Sequence, residues 1–237
     1  MCSRGGRRKN GVTMKFKTSF SFVVAILCAL TVQAADDLPK TLMTERGKLL
    51  CSEDFATLDA KTWHVAKGQW EIAAGGLKGV EVKSDNHPAV IRRQFPFKDA
   101  VIQFDVQVNG CKQTTFSVNE AKAHLARALF TPAGFSAQKD SQDHGATDKP
   151  VRFATLASPM KPGEWHTVVI EFLGEEMVTM MDGKTIAGTQ PVLGHEKANF
   201  GFTVAGESAI YRNLRVWEAK PNPAWEQNKK QITAATK

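Results

Sequence analysis

The eleven residues Asp140–Pro150 (DSQDHGATDKP) gather Asp140, Asp143, His144, Asp148 and Lys149 around a glycine. Carboxylates on such a loop are the hard oxygen donors that Ca²⁺ takes, and a histidine beside a carboxylate is the pairing from which an acid or a base is made. The spacing therefore nominates Asp143 and His144 as catalytic candidates and Asp140, Asp143 and Asp148 as calcium ligands. The competing reading is a solvated loop, since Asp, Gly and Pro are also the residues that satisfy turns. A second set lies on predicted strands. Gln103, Asp105 and Gln107 alternate with Ile102, Phe104, Val106 and Val108, so hydrogen-bonding side chains share one face, as sugar hydroxyls would require. An ordinary solvated outer face has the same pattern. Arg92 and Arg127 join Gln103 and Asp105 as candidates for a groove face, Arg127 because it stands opposite Ala126 and Ala128 on its strand. Of the tryptophans at 63, 70, 165 and 217, the first three are assigned to the core. Trp217, near the end of the last strand, is the one expected to touch a ligand. No phosphate loop, nucleophile elbow, His-Glu-x-x-His or dinucleotide fingerprint occurs.

The elements that must position these residues are short and extended. Val168, Ile170 and Phe172 point one way and Thr167, Val169 and Glu171 the other, the period-2 pattern of a half-buried strand. Asp182-Gly183 supplies the positive φ angles of a tight hairpin. Further runs are predicted at 87–97, 99–108, 110–119, 122–131, 135–139, 151–154, 198–205 and 209–217. His124 shares the face of Ala126 and Ala128 unless a bulge intervenes. His166, beside Trp165, is assigned to strand packing. After Pro221, Asn222 as cap and Pro223 in the first turn start a short C-terminal helix. Ten or more strands without a long amphipathic helix predict an all-β, two-sheet antiparallel sandwich of the jelly-roll kind, with a propeller disfavoured because no blade motif repeats.

The N-terminal part reads as a leader. Met14-Lys15-Phe16-Lys17 is basic, 20–30 is apolar and shorter than a membrane span, and Val32-Gln33-Ala34-Ala35 suits a signal peptidase. The expected organisation is a leader at 1–35, a polar lead-in at 36–48, a β-sandwich at 49–219 and a helical tail at 220–237. The protein is accordingly expected to be exported, to the periplasm or beyond, with no membrane span once the leader is cleaved. Six of the 31 Lys and Arg residues precede Asp36 while all 24 acidic residues lie at or after it, so the remainder carries +1 against +7 for the whole. A near-neutral domain has no electrostatic footprint for nucleic acid. Cleavage also leaves two of four cysteines, Cys51 and Cys111, which are read as unpaired buried thiols rather than a disulfide.

The segments EDFATLDAKTWHVAKGQWEIAAGGLKG and EWHTVVIEFLGEEMVTMMDGKTIAG, with a closing NLRVW strand, resemble concanavalin A-like jelly-roll domains, and more narrowly the exported bacterial proteins of the 3-keto-disaccharide hydrolase type. The resemblance spans roughly residues 49–219. It implies an exported protein that acts on oxidised glycosides through polar residues of the concave sheet. The chain departs from that pattern in lacking a Gly-Asn-Ser-Gly segment near 112–130, and it also lacks the Glu-x-Asp-x-x-Glu strand of jelly-roll glucanases. No catalytic carboxylate pair is carried over. A non-catalytic glycan-binding module and a structural accessory domain therefore stand beside the hydrolase or lyase reading.

Overall fold

The computed structural model describes residues 38–143, 145 and 147–235. The leader and His144 lie outside them. Thirteen strands precede one helix. The first five are β1 (Thr44–Glu53), β2 (Trp63–Lys67), β3 (Gln69–Ala73), β4 (Gly76–Val80) and β5 (Ala89–Phe97). Then come β6 (Ala100–Asn119), β7 (His124–Thr131), β8 (Gly134–Lys139) and β9 (Val151–Ala157), followed by β10 (Trp165–Leu173), β11 (Glu176–Met181), β12 (Lys184–Thr189), β13 (Lys197–Pro221) and the helix α1 (Trp225–Ala235). Their pairings are antiparallel.

Two long strands organise the sandwich. β6 and β13 pair along their lengths and bend together where Gly110 (φ 77°) and Gly206 (φ 98°) come close across the ladder. Both positions need glycine: a Cβ on Gly206 would meet the Lys112 nitrogen at 2.9 Å, and both backbones are left-handed. On one side of the bend the first half of β6 and the second half of β13 join β10, β11 and β12 on one flank and β1, β4 and β3 on the other. Beyond it, the second half of β6 and the first half of β13 join β7, β8 and β9 on one flank and β5 and β2 on the other. The bend folds each strand onto itself, setting Phe104 against Phe116 (5.2 Å between rings) and Phe202 against Tyr211 (3.9 Å). The core is the inward set of both layers, including Ile102, Phe104, Val106, Phe116, Ile170 and Phe202, and burial of each large side chain contributes about 1.5–3 kcal/mol.

The predicted alternation at 102–108 and 168–172 holds, as does the hairpin, with Asp182 at φ 50° and Gly183 at φ 78°. The runs at 99–108 and 110–119 form one bent strand, and so do 198–205 and 209–217. The glycine at each bend changes direction without ending the ladder. Part of the supposed polar lead-in is structured, because β1 begins at Thr44 and Met43 is fully buried. The helix starts at Trp225, two residues later than Pro223, and Asn222 Oδ1 accepts from the Ala224 nitrogen at 2.9 Å in the turn that leads into it. Cys51 and Cys111 are free and buried, and burial pushes the Cys111 thiol up to about 11.

A third layer covers the outer face of the first sheet. Val101, Val169, Val178, Met180 and Trp217 pack beneath Met43 and Trp225. Glu171, fully buried on this face, fixes the segment leading into β1, residues 38–44, as a strap across it: its carboxylate accepts the backbone N–H groups of Leu42 (2.9 Å), Met43 (2.9 Å) and Thr44 (2.6 Å) and the Thr44 hydroxyl (2.7 Å). Burial pushes this carboxyl up against the pull of those donors.

Candidate functional site

The sequence candidates fall on two different outer faces. Gln103 and Asp105 belong to the first layer and Arg92 and Arg127 to the second, so the four do not converge. Asp105, 8% exposed, accepts hydrogen bonds from Thr167 Oγ1 (2.8 Å), Arg212 Nε (3.1 Å) and Asn213 Nδ2 (2.7 Å). It thereby pins the irregular turn of β13 at Asn213, where φ is 54°. Gln103 accepts from Arg46 Nη2 at 3.2 Å, and the Arg46 guanidinium also covers the Trp217 ring at 4.9 Å. Trp217 is 7% exposed beneath that cover. Trp217, nominated for ligand contact, packs here against Met43 of the strap and Trp225 of α1. Trp63 is core as expected, whereas Trp70 and Trp165 are only partly buried, with Arg212 stacked on Trp165 at 4.0 Å.

The outer face of the second layer is different. Across its seven strands one transverse row reads His64, Arg92, Gly201, Ser117, Arg127, Gln138, Arg152. The next row runs Thr203, Thr115, Leu129, Ser136, Thr155. Directly paired residues project to the same side, so these rows share a face opposite the core-facing Phe116, Ala128 and Ala137. Ser117, Ser136 and Gln138 are only 5–8% exposed, and Thr115 is 3% exposed with its hydroxyl unpartnered among the described residues. The face is therefore recessed, with hydroxyls and amides on its floor and partly exposed arginines rising from it. A depression of about 250 Å³ opens where Gln113, Leu129, Ser136, Arg152 and Thr155 meet.

Polar contacts fix the floor. Asp140, 4% exposed, stands 2.5 Å from Arg127 Nε as an ion pair without an aligned hydrogen bond, and it accepts from Gln138 Nε2 at 2.8 Å. Gln138 Oε1 in turn accepts from Arg152 Nη2 at 3.0 Å. A bulge before Asn119 places His124 opposite Asn119 rather than in the alanine row, and the two share a 2.7 Å hydrogen bond. His166 packs as read, bonded through Nδ1 to Asp182 at 2.5 Å.

The loop from Asp140 to Pro150 uses its acids internally. Asp143 accepts backbone N–H groups from Gly145 (3.1 Å), Thr147 (2.7 Å) and Asp148 (3.0 Å), and the Thr147 hydroxyl. The Thr147 hydroxyl and the Asp148 and Thr147 amides hold its carboxyl well below the usual range. Asp148 bonds Lys139 and the Gln142 nitrogen. Asp140, Asp143 and Asp148 thus each serve a separate set of protein donors. Among the described residues no group of three or more His, Cys, Asp or Glu side chains is placed to hold a metal ion. Asp143 is a loop organiser here, and its expected partner His144 lies outside the described residues. Sequence reasoning missed Ser117, Ser136, Gln138 and Arg152, although the alternation of Ser136 and Gln138 with Phe135 and Ala137 was present to be read.

No family model and no curated protein sequence matches the chain. Solved structures do. A protein of unknown function with a galectin-like fold from Bacillus subtilis superimposes with a TM-score of 0.58 at 14% identity, over 76% of this chain and 100% of that one. A carbohydrate-binding module, CBM66, from Bacillus subtilis gives 0.55 at 17% identity, over 66% and 96%. The Bacillus licheniformis β-glucanase gives 0.54 at 10% identity, over 74% and 100%. The fold is the antiparallel jelly-roll sandwich that the sequence predicted. At these identities the likeness concerns the fold alone. No described helix is long and apolar enough to cross a membrane.

Proposed function

We propose that the chain is a carbohydrate-active β-sandwich that binds a glycan on the recessed outer face of its second layer. The observation that carries this is the transverse row from Arg92 to Arg152 above a floor of Ser117, Ser136 and Gln138. Such a surface offers sugar hydroxyls both donors and acceptors, and a rigid sheet holds them in place. The similarity in fold to a carbohydrate-binding module and a β-glucanase supports the same reading. Binding without chemistry is favoured over hydrolysis, because Asp140, a carboxylate that reaches this face, is committed to Arg127 and Gln138. Glycoside cleavage by two carboxylates needs a second one about 5–10 Å away. The finer reading, an exported protein that meets 3-keto glycosides, rests on the sequence resemblance and the leader.

The test is calorimetric titration of the chain with a glycan panel that includes 3-keto-glucosides, alongside product analysis. Binding should appear and fall at least about tenfold when Ser117→Tyr fills the floor, since about 1.4 kcal/mol of lost contact corresponds to that factor. Binding unaffected by that substitution would remove the site. Turnover of 3-keto-glucosides would replace the binding role with catalysis.

A further inference from the structure

We infer that the glycan held on this face is anionic, its carboxylate or sulfate groups pairing with Arg92 and Arg152. The inference rests on the proposed glycan site and specifies its ligand class. Three guanidiniums stand in one row, but they are not equivalent. Arg127 is neutralised by Asp140 at 2.5 Å. Arg152 is exposed and steadied by a neutral group, Gln138 Oε1, at 3.0 Å, so its charge is oriented yet uncompensated among the described residues. Arg92 is partly buried and has no ion-pair partner among the described residues. Its stem lies against Gly201, where a Cβ would clash with the Ile91 carbonyl oxygen and meet Arg92 Cγ at 3.1 Å, so only glycine lets the two strands and the arginine stem pack this closely. A floor built for neutral sugars needs hydroxyls and amides alone. Two uncompensated forks at the same transverse level add what a carboxylate or sulfate requires, two parallel N–H donors and a full charge.

The spacing also sets the ligand's size. Arg92 and Arg152 are separated by five strand steps, roughly 24 Å at about 4.8 Å per step. One monosaccharide cannot touch both. An oligomer carrying repeated anionic groups can, lying across the strands with Ser117 and Gln138 beneath its middle.

The experiment titrates the chain with oligogalacturonate, with the same oligomer after reduction of its carboxyl groups, and with a sulfated oligosaccharide of similar length. Arg92→Gln, Arg152→Gln and Arg92→Lys are compared with the unchanged protein, and thermal melting confirms that each variant folds. An acidic oligomer should bind, and its affinity should fall about tenfold in each Gln variant, the loss expected of one charge-assisted contact. Arg92→Lys should recover part of that loss, since it restores the charge without the fork. Binding should also weaken as ionic strength rises from about 0.01 M to about 0.15 M, where the screening length shrinks from about 30 to about 8 Å. Whichever acidic oligomer binds identifies the anionic group. If the reduced oligomer binds as tightly as its acidic parent and neither Gln variant matters, the anionic class is wrong and the glycan site survives. If acidic and neutral oligomers all fail to bind, the glycan site itself is lost.

Discussion

The Arg127–Asp140 pair ties the binding face to the loop behind it and permits a quantitative test. Asp140 is 4% exposed and has two side-chain partners, Arg127 Nε at 2.5 Å and Gln138 Nε2 at 2.8 Å. Removing the cation from a fully buried pair costs about 3–5 kcal/mol, because an uncompensated charge is left behind. Two features place Arg127→Gln below that range. The Arg127 side chain is 32% exposed, so water reaches it, and its Nε–H is not aligned for a hydrogen bond. The expected loss is about 1–3 kcal/mol. Asp140→Asn keeps the Gln138 contact within reach and removes the charge that needs compensation, so the double variant should recover part of the loss. Urea unfolding of both singles and the double gives the coupling, expected at about 1 kcal/mol. A coupling below about 0.3 kcal/mol would show that Arg127 is a solvated side chain and that the face lacks a neutralised centre. The same variants bear on function: Asp140→Asn exposes a third uncompensated guanidinium and should tighten binding of an acidic oligomer.

Two further predictions concern the scaffold. Glu171→Gln must turn an N–H₂ group toward at least one backbone donor of the strap, leaving a buried donor unsatisfied at about 1–3 kcal/mol. For a domain of this size the melting temperature should fall by about 2–12 °C in calorimetry, and a change under about 1 °C would contradict the anchoring role. Lys197 is fully buried, its ammonium donating to the carbonyls of Lys98 (2.6 Å) and Leu193 (2.5 Å) beside Phe172, and burial lowers its pKa from 10.5 to about 8. The unfolded chain keeps this proton up to about pH 10.5 while the folded protein releases it from about pH 8. Stability relative to Lys197→Met should therefore rise with pH across that window, by at most about 3.5 kcal/mol at about 1.4 kcal/mol per unit. A flat difference in denaturant titrations from pH 8 to 10.5 would refute the assignment.

Strand content and the core-facing residues were readable because period 2 is a local signal, and Ile102–Val108 and Val168–Phe172 show it without interruption. Which layer a strand joins is not local. Gln103 and Ser117 both alternate with core residues on the same strand, yet the bend at Gly110 sends them to opposite outsides of the sandwich. Gln103, Asp105, Arg92 and Arg127 therefore looked like one face in the sequence and form two. Trp217 looked available because much of its cover comes from residues about 170 positions earlier, through Arg46 and Met43, with Trp225 of α1 completing it. Glu171 and Lys197 carried no pattern that marks burial of a charge; Glu171 is satisfied by backbone groups distant along the chain, and Lys197 by one distant carbonyl, Lys98, and one local one, Leu193. The acidic loop drew notice by composition, while its main carboxylates serve turns.

Mapping a bound acidic oligosaccharide with amide and arginine side-chain NMR shifts locates the binding face. The predicted result is a continuous set of perturbations at Arg92, Ser117, Arg127, Ser136, Gln138 and Arg152. Perturbations confined to Gln103, Asp105 and Arg212, on the outside of the other layer, would contradict it.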